Sequence, residues 1–224
     1  MCRTKLKDRK LPDYTKGEEI FNMVSHIIGG GMGIVAVVLC VIVSAVHRNV
    51  YGVVSGAIFG GTMILLYCMS SIYHGLSPKT TAKKVFQVID HCTIFILIAG
   101  TYTPITLCTL REYNTALGWT MFGIVWGVAI LGIVLNAIDL KRFSVFSIIC
   151  YLALGWCVVS AAKPVFEGLG TGGTWLLVSG GISYTVGAVI YTVGHKARYL
   201  HSVFHIFCVI GSLLHFLCIL FFVV

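Results

Sequence analysis

Seven apolar stretches take up nearly all of this chain: residues 22–46, 51–73, 85–108, 116–136, 143–162, 174–194 and 200–224. Each is close to the ~20 residues that an α-helix needs to cross the hydrocarbon of a bilayer. In lipid every backbone N–H and C=O must be satisfied within the protein, so stretches of this length are expected as helices. At 58% hydrophobic and 11% charged residues over 224 positions, with a mean hydropathy of +0.94, the chain is too apolar for a soluble domain of its size. The spacing predicts an all-α integral membrane protein, a multi-pass seven-transmembrane helix bundle in the cell membrane. Connections between the stretches are short and leave no room for a second unit, so residues 17–224 form one domain behind a short basic head, 1–16.

A net charge of +8 raises the question of nucleic acid, but the cations are parcelled among segment ends instead of forming one stripe. Arg3, Lys5, Lys7, Arg9, Lys10 and Lys16 lie in the head. Lys79, Lys83 and Lys84 follow span 2, Lys141 and Arg142 follow span 4, and Lys196 and Arg198 follow span 6. Only Arg48, Arg111 and Lys163 fall on the other side. By the positive-inside rule the N-terminus is cytoplasmic and the C-terminus outside, the reverse of a G-protein-coupled receptor. No nucleic-acid role is expected. The head has little to bury and is expected to be mobile, with its charges near anionic headgroups.

Nine cysteines, mostly within spans and without C-x-x-C spacing, read as small packing residues and not as a disulfide framework. The first apolar run is too long for a signal-peptide core and lacks a small-residue cleavage site, so it is expected to remain as span 1. The glycine clusters Gly29–Gly33 and Gly56, Gly60 and Gly61 are expected to let helix backbones approach closely. Pro104, preceded by Thr101 and Thr103, is expected to kink span 3.

Chemistry concentrates in a few polar residues. His201 and His205 stand one helical turn apart at the start of span 7. Four residues are about 6 Å of rise and roughly 40° of rotation, so both rings share a face and can close on one metal ion. Ser70 and His74 share a face at the end of span 2, and Asp90 lies about a turn inside span 3. A carboxylate within a span costs roughly 2.5–3.5 kcal/mol on insertion scales and is normally retained for a partner or a function. Glu19, Asn22 and His26 step by three and four along the entry to span 1 as one polar stripe. That stripe reads equally as interhelical hydrogen bonding or as a direct catalytic role. His215 lies about 15 Å beyond His205 along the helix axis, too far to share its ion, and His47 and His195 read as loop histidines.

The topology argument uses lysines and arginines alone, yet it puts every one of these candidates at the cytoplasmic ends of their spans. Three imidazoles suit zinc and leave a fourth tetrahedral position for water, the pattern of a catalytic site. In that reading Asp90 acts on the water and Ser70 bonds a ligand or a substrate oxygen. A structural zinc staple between spans 2, 3 and 7 remains open on the same residues, since spacing does not reveal an open coordination position.

Ser70-x-x-x-His74, Asp90 and His201-x-x-x-His205, with Glu19-x-x-Asn22 and His26 on span 1, resemble the hemolysin III proteins. These are the microbial branch of the progestin and adipoQ receptor family, which includes the adiponectin receptors. The resemblance runs from about Tyr14 to the end of the chain. It implies a seven-helix bundle with a cytoplasmic N-terminus and zinc on His74, His201 and His205, with Asp90 reaching the metal through water. The alkaline ceramidases are similar at these motifs, so the resemblance also implies hydrolysis of a lipid amide or ester, with membrane lipids as partners. The family name points instead to a cytolysin, and a third reading is a membrane receptor or sensor with structural zinc. With a short head and no tail beyond span 7, no protein hormone is expected as a partner.

Overall fold

A computed structural model of the chain describes residues 4, 6–193 and 197–224, and among these the regular structure is helical throughout. We label the principal helices α1 (Lys16–Val46), α2 (Val50–Gly75), α3 (Thr81–Pro104), α4 (Thr115–Asp139), α5 (Ser144–Trp156), α6 (Ala162–Val193) and α7 (Leu200–Phe222). Their starts follow local chemistry. Thr15 opens α1 with a capping box: its hydroxyl accepts from Glu18 N, and the Glu18 carboxylate accepts from Thr15 N at 2.8 Å. Asn49, Thr80 and Asn114 cap α2, α3 and α4 through the same type of side-chain acceptor.

The α1–α2 hairpin is joined by a tight turn in which Arg48 has φ 56°. Its two helices touch through glycine. A Cβ built on Gly60 would lie 2.6 Å from the backbone N of Val37 and 3.0 Å from Gly33 O, whereas one on Gly61 meets nothing within 4 Å. Of the expected small-residue positions, Gly33, Gly56 and Gly60 therefore line the seam, and Gly31 and Gly61 do not.

At Pro104 the helix does not stop. It widens into a π-helical turn over Ile105–Leu110, while the hydroxyls of Thr101, Thr103 and Thr106 bond back to Leu97 O, Ala99 O and Tyr102 O at 2.8–2.9 Å.

By length and composition six helical runs among the described residues can cross a membrane. The sequence spacing leads to seven stretches; the fifth and sixth merge here into one run, Ser144–Thr192, of 49 residues. That run is not straight. Trp156 Nε1 donates to Thr185 Oγ1 at 2.9 Å across 29 residues, which in a straight helix would be about 43 Å apart. The chain therefore doubles back, and helical geometry breaks at Gly170, with φ 62° and ψ −173°. A φ of this sign suits glycine, which has no Cβ to clash.

Three apolar clusters fill the interior. One joins α1, α2, α3 and α7 through Cys40, Phe59, Met63, Tyr67, Leu97 and Ile219; the others join α3 and the π-helical turn after it to α4, α5, α6 and α7. Isoleucines and valines such as Ile28, Ile34, Ile42, Val46, Ile130 and Ile149 point outward instead. On a soluble protein such a belt would be an aggregation surface, and around a bundle it is the face that lipid covers. The chain is a multi-pass membrane protein. The cysteines among the described residues are free, as their spacing indicates.

The head is not detached. Thr4 N donates to Asp139 Oδ2 at 2.8 Å at the end of α4, and Tyr14 reaches over the start of α7. Residues 4 and 6–15 lie against the end of the bundle where α1, α3 and α7 begin and α2 ends.

Candidate metal centre

The polar stripe on α1 faces inward: Asn22 and His26 are buried, and Glu19 is nearly so. Antiparallel pairing brings the last turn of α2 beside it. There His74, 2% exposed, sets Nδ1 at 2.7 Å from Glu19 Oε2. The other Glu19 oxygen lies 2.7 Å from Lys83 Nζ. Lys83 is 1% exposed and also donates to Leu76 O at 3.0 Å and to His74 O at 3.4 Å. Counted in the sequence as a loop cation, it instead turns inward from the first turn of α3.

From α7, His201 and His205 present their Nε2 atoms 3.0 Å apart, as one helical turn of separation requires. Ligand atoms of His74, His201 and His205 all lie within 4.8 Å of one another. His74 Nε2 is buried and has no hydrogen-bond partner among the described residues. A buried polar atom left so costs roughly 1–3 kcal/mol unless something else occupies it. Three imidazoles gathered this closely form a donor set that could hold a metal ion.

Rings pack around this group. His26 stacks on His205 with centroids 3.7 Å apart and meets Tyr67 edge-on at 4.9 Å. Both His26 nitrogens are buried and without partners among the described residues. On the head side Tyr14 stacks on His201 at 4.9 Å and 18° and lies 5.9 Å from His74. Burial, then the neighbouring Tyr191 and Glu19, pushes the Tyr14 phenol above its usual range, so it stays protonated. Tyr191 of α6 lies 5.8 Å from His201.

Asp90 sits beside this group and not within it. Its carboxylate lies beside Ser70, one turn before His74, and 3.5 Å from His91 Nδ1. That ring nitrogen is closer to Gln87 O, at 2.9 Å, and Tyr151 of α5 holds the His91 carbonyl at 2.8 Å. Tyr151 in turn takes a hydrogen bond from Asn136 of α4 at 3.3 Å, so helices from across the bundle brace the turn that carries Asp90.

The structure thus brings His74, His201, His205, Glu19, Asn22 and His26 together and pairs Ser70 with Asp90 next to them. His215 lies apart, its Nε2 at 3.0 Å from Leu177 O. His47 ends α1 at the opposite end of the bundle, and His195 lies outside the described residues. Four nearby residues were not candidates from the sequence. By sequence Tyr14 falls in the head and Lys83 in a loop, and nothing singles out Tyr191. Glu18 does carry a signal, the Thr15-x-x-Glu18 capping spacing; its second oxygen accepts from Tyr199 N at 2.7 Å. Tyr199 has φ 62° directly before α7, so Glu18 ties the entry of the two-histidine helix to that of α1.

A profile of the family described as "Haemolysin-III related" matches residues 14–216. The protein "Hemolysin-3" of Bacillus cereus is 40% identical over 207 residues, which cover 92% of each chain. "Hemolysin-3 homolog" of Bacillus subtilis (strain 168) is 40% identical over 211 residues, 94% of this chain and 97% of the relative.

Proposed function

The chain belongs to the hemolysin III family, a multi-pass family of the cell membrane, and from that premise we propose a zinc-dependent hydrolase of lipid amides or esters working at the cytoplasmic face. One observation carries the proposal: three imidazoles from helices more than a hundred residues apart converge within 4.8 Å, and two of them, at His74 Nε2 and His205 Nδ1, keep a buried nitrogen without a partner among the described residues.

The topology that goes with it has seven spans, a cytoplasmic N-terminus and an outer C-terminus. A straight helix of 49 residues would be about 74 Å long, more than twice the ~30 Å of hydrocarbon. The Trp156–Thr185 contact lies between its two halves, which supports counting them as two spans. Burying Lys83 removes one charge from the cytoplasmic count and leaves its excess intact.

Zinc held by His74, His201 and His205 would supply Lewis acidity to a substrate carbonyl and lower the pKa of a water. Asp90 is the base in this reading. With Ser70 beside it, its carboxylate would take a proton from water and pass it to the leaving amine or alcohol. The lipid is expected to enter from the membrane, with its polar linkage at the depth of the histidines and its chains in the hydrocarbon.

The test is Asp90→Asn, with zinc content and hydrolysis of a ceramide, phospholipid and acyl-amide panel measured on the same preparations. Zinc should be largely retained while turnover slows by roughly 10²–10⁴-fold. Unchanged turnover rejects this role for Asp90. If the wild type holds zinc but hydrolyses nothing in the panel, a receptor or sensor with structural zinc becomes the better reading. The name of the Bacillus cereus relative favours a cytolysin as the second reading, which lysis of lipid vesicles by the purified wild type would support.

A further inference from the structure

Lys83 is a wholly buried lysine in a membrane protein, and neither the fold nor the reaction above requires it. Burying a charge is costly unless it is paired and hydrogen-bonded. Its ammonium group has three N–H bonds and three acceptors: Glu19 Oε1 at 2.7 Å, Leu76 O at 3.0 Å and His74 O at 3.4 Å. Two of these are carbonyls at the C-terminal end of α2, which have no donor within their own helix. Lys83 therefore grips His74 twice, directly by its backbone and through Glu19 by its ring.

The ring contact decides a tautomer. At 2.7 Å, Nδ1 of His74 and the Glu19 carboxylate share a hydrogen bond, and a carboxylate has only lone pairs to offer, so the proton is on Nδ1. The Asn22 amide approaches the same nitrogen at 3.5 Å, weaker than the carboxylate contact at 2.7 Å. In the neutral ring, with Nδ1 donating, Nε2 keeps its lone pair, and Nε2 is the His74 nitrogen that is buried without a partner among the described residues. We propose that Lys83 and Glu19 are positioning residues that hold His74 in the Nδ1–H tautomer with Nε2 aimed at the metal point. This rests on reading His74 as a metal ligand. Lys83 fixes the carboxylate, the carboxylate fixes the ring, and neither residue touches the metal.

The tautomer is measurable without metal. In ¹⁵N-histidine-labelled, metal-free protein, with the His74 signals identified by their loss in His74→Gln, wild-type His74 should show the proton on Nδ1. Zinc affinity, measured by competition with a chelator, should fall about 10–100-fold in Glu19→Gln and in Lys83→Met. The double variant should be no weaker than the weaker single, because both act along one path. The exposed Lys79→Met serves as a control and should match wild type. A proton on Nε2 in the wild type, wild-type affinity in Lys83→Met, or additive losses in the double variant would each overturn the proposal. Should the variants not fold, the wild-type tautomer alone decides it. A wild type that binds no zinc would refute the metal reading, and the tautomer would still report on the relay.

Discussion

Adjacent glycines on α2 offer a controlled measure of what holds the bundle together. Gly60→Ala adds a Cβ at 2.5 Å from Val37 Cγ2, 2.6 Å from Val37 N and 3.0 Å from Gly33 O. Two of these atoms are backbone and cannot rotate away. Ordinary contact begins near 3.4 Å, so α1 and α2 must separate by several tenths of an ångström along the seam. Forcing extra volume into a packed interface costs typically about 1–3 kcal/mol, and backbone contact puts this site towards the upper half of that range. Gly61→Ala adds the same atom to open space beside lipid. Replacing glycine by alanine within a helix contributes roughly 0.5–1 kcal/mol of stability, and that gain is common to both variants. The difference between them thus isolates the packing cost, and we expect Gly60→Ala to be less stable than Gly61→Ala by about 2 kcal/mol. The assay is reversible unfolding in mixed micelles by titration with a denaturing detergent, followed by the circular dichroism of the helices. Equal stabilities, or Gly61→Ala the weaker of the two, would refute the close α1–α2 contact.

The purified protein is expected to hold about one zinc per chain, and His74→Ala, His201→Ala and His205→Ala should each lose most of it while His47→Ala keeps it; metal analysis after dialysis decides this, since two remaining protein ligands bind weakly. Tyr14→Ala should let a chelator strip zinc about two- to tenfold faster, the range that corresponds to losing a ring stack of about 0.5–1.5 kcal/mol, and an unchanged rate would show that the head does not cover the site. A reporter fused after Val224 should read outside and one inserted in the loop between α2 and α3 cytoplasmic. A cytoplasmic C-terminus would break the seven-span topology.

The sequence by itself determined the class of the fold. Length and apolar content are local properties, and a run near twenty apolar residues in a bilayer has to be a helix. His201 and His205 share a face because four residues make about one turn. The partition of lysines and arginines, which owes nothing to the histidines, put all the polar candidates at one end of the bundle. Tertiary structure decided what each side chain meets. Nothing local distinguishes Gly60 from Gly61, yet one lies against the Val37 backbone and the other faces lipid. Nor does Lys83 differ in sequence from the solvated Lys79, although packing α3 against α2 turns it into the interior, onto Glu19. Tyr14 became part of the site only because the head, anchored through Thr4 at Asp139 and Thr15 at Glu18, is laid across the histidines. The fifth and sixth apolar stretches form one helical run, and the contact of Trp156 with Thr185, across 29 residues, shows that it doubles back. Periodicity and capping report on residues within about a turn of one another. A buried ammonium, a free imidazole nitrogen or a helix seam depends on which distant segments share the interior, and that is set by packing over the whole chain.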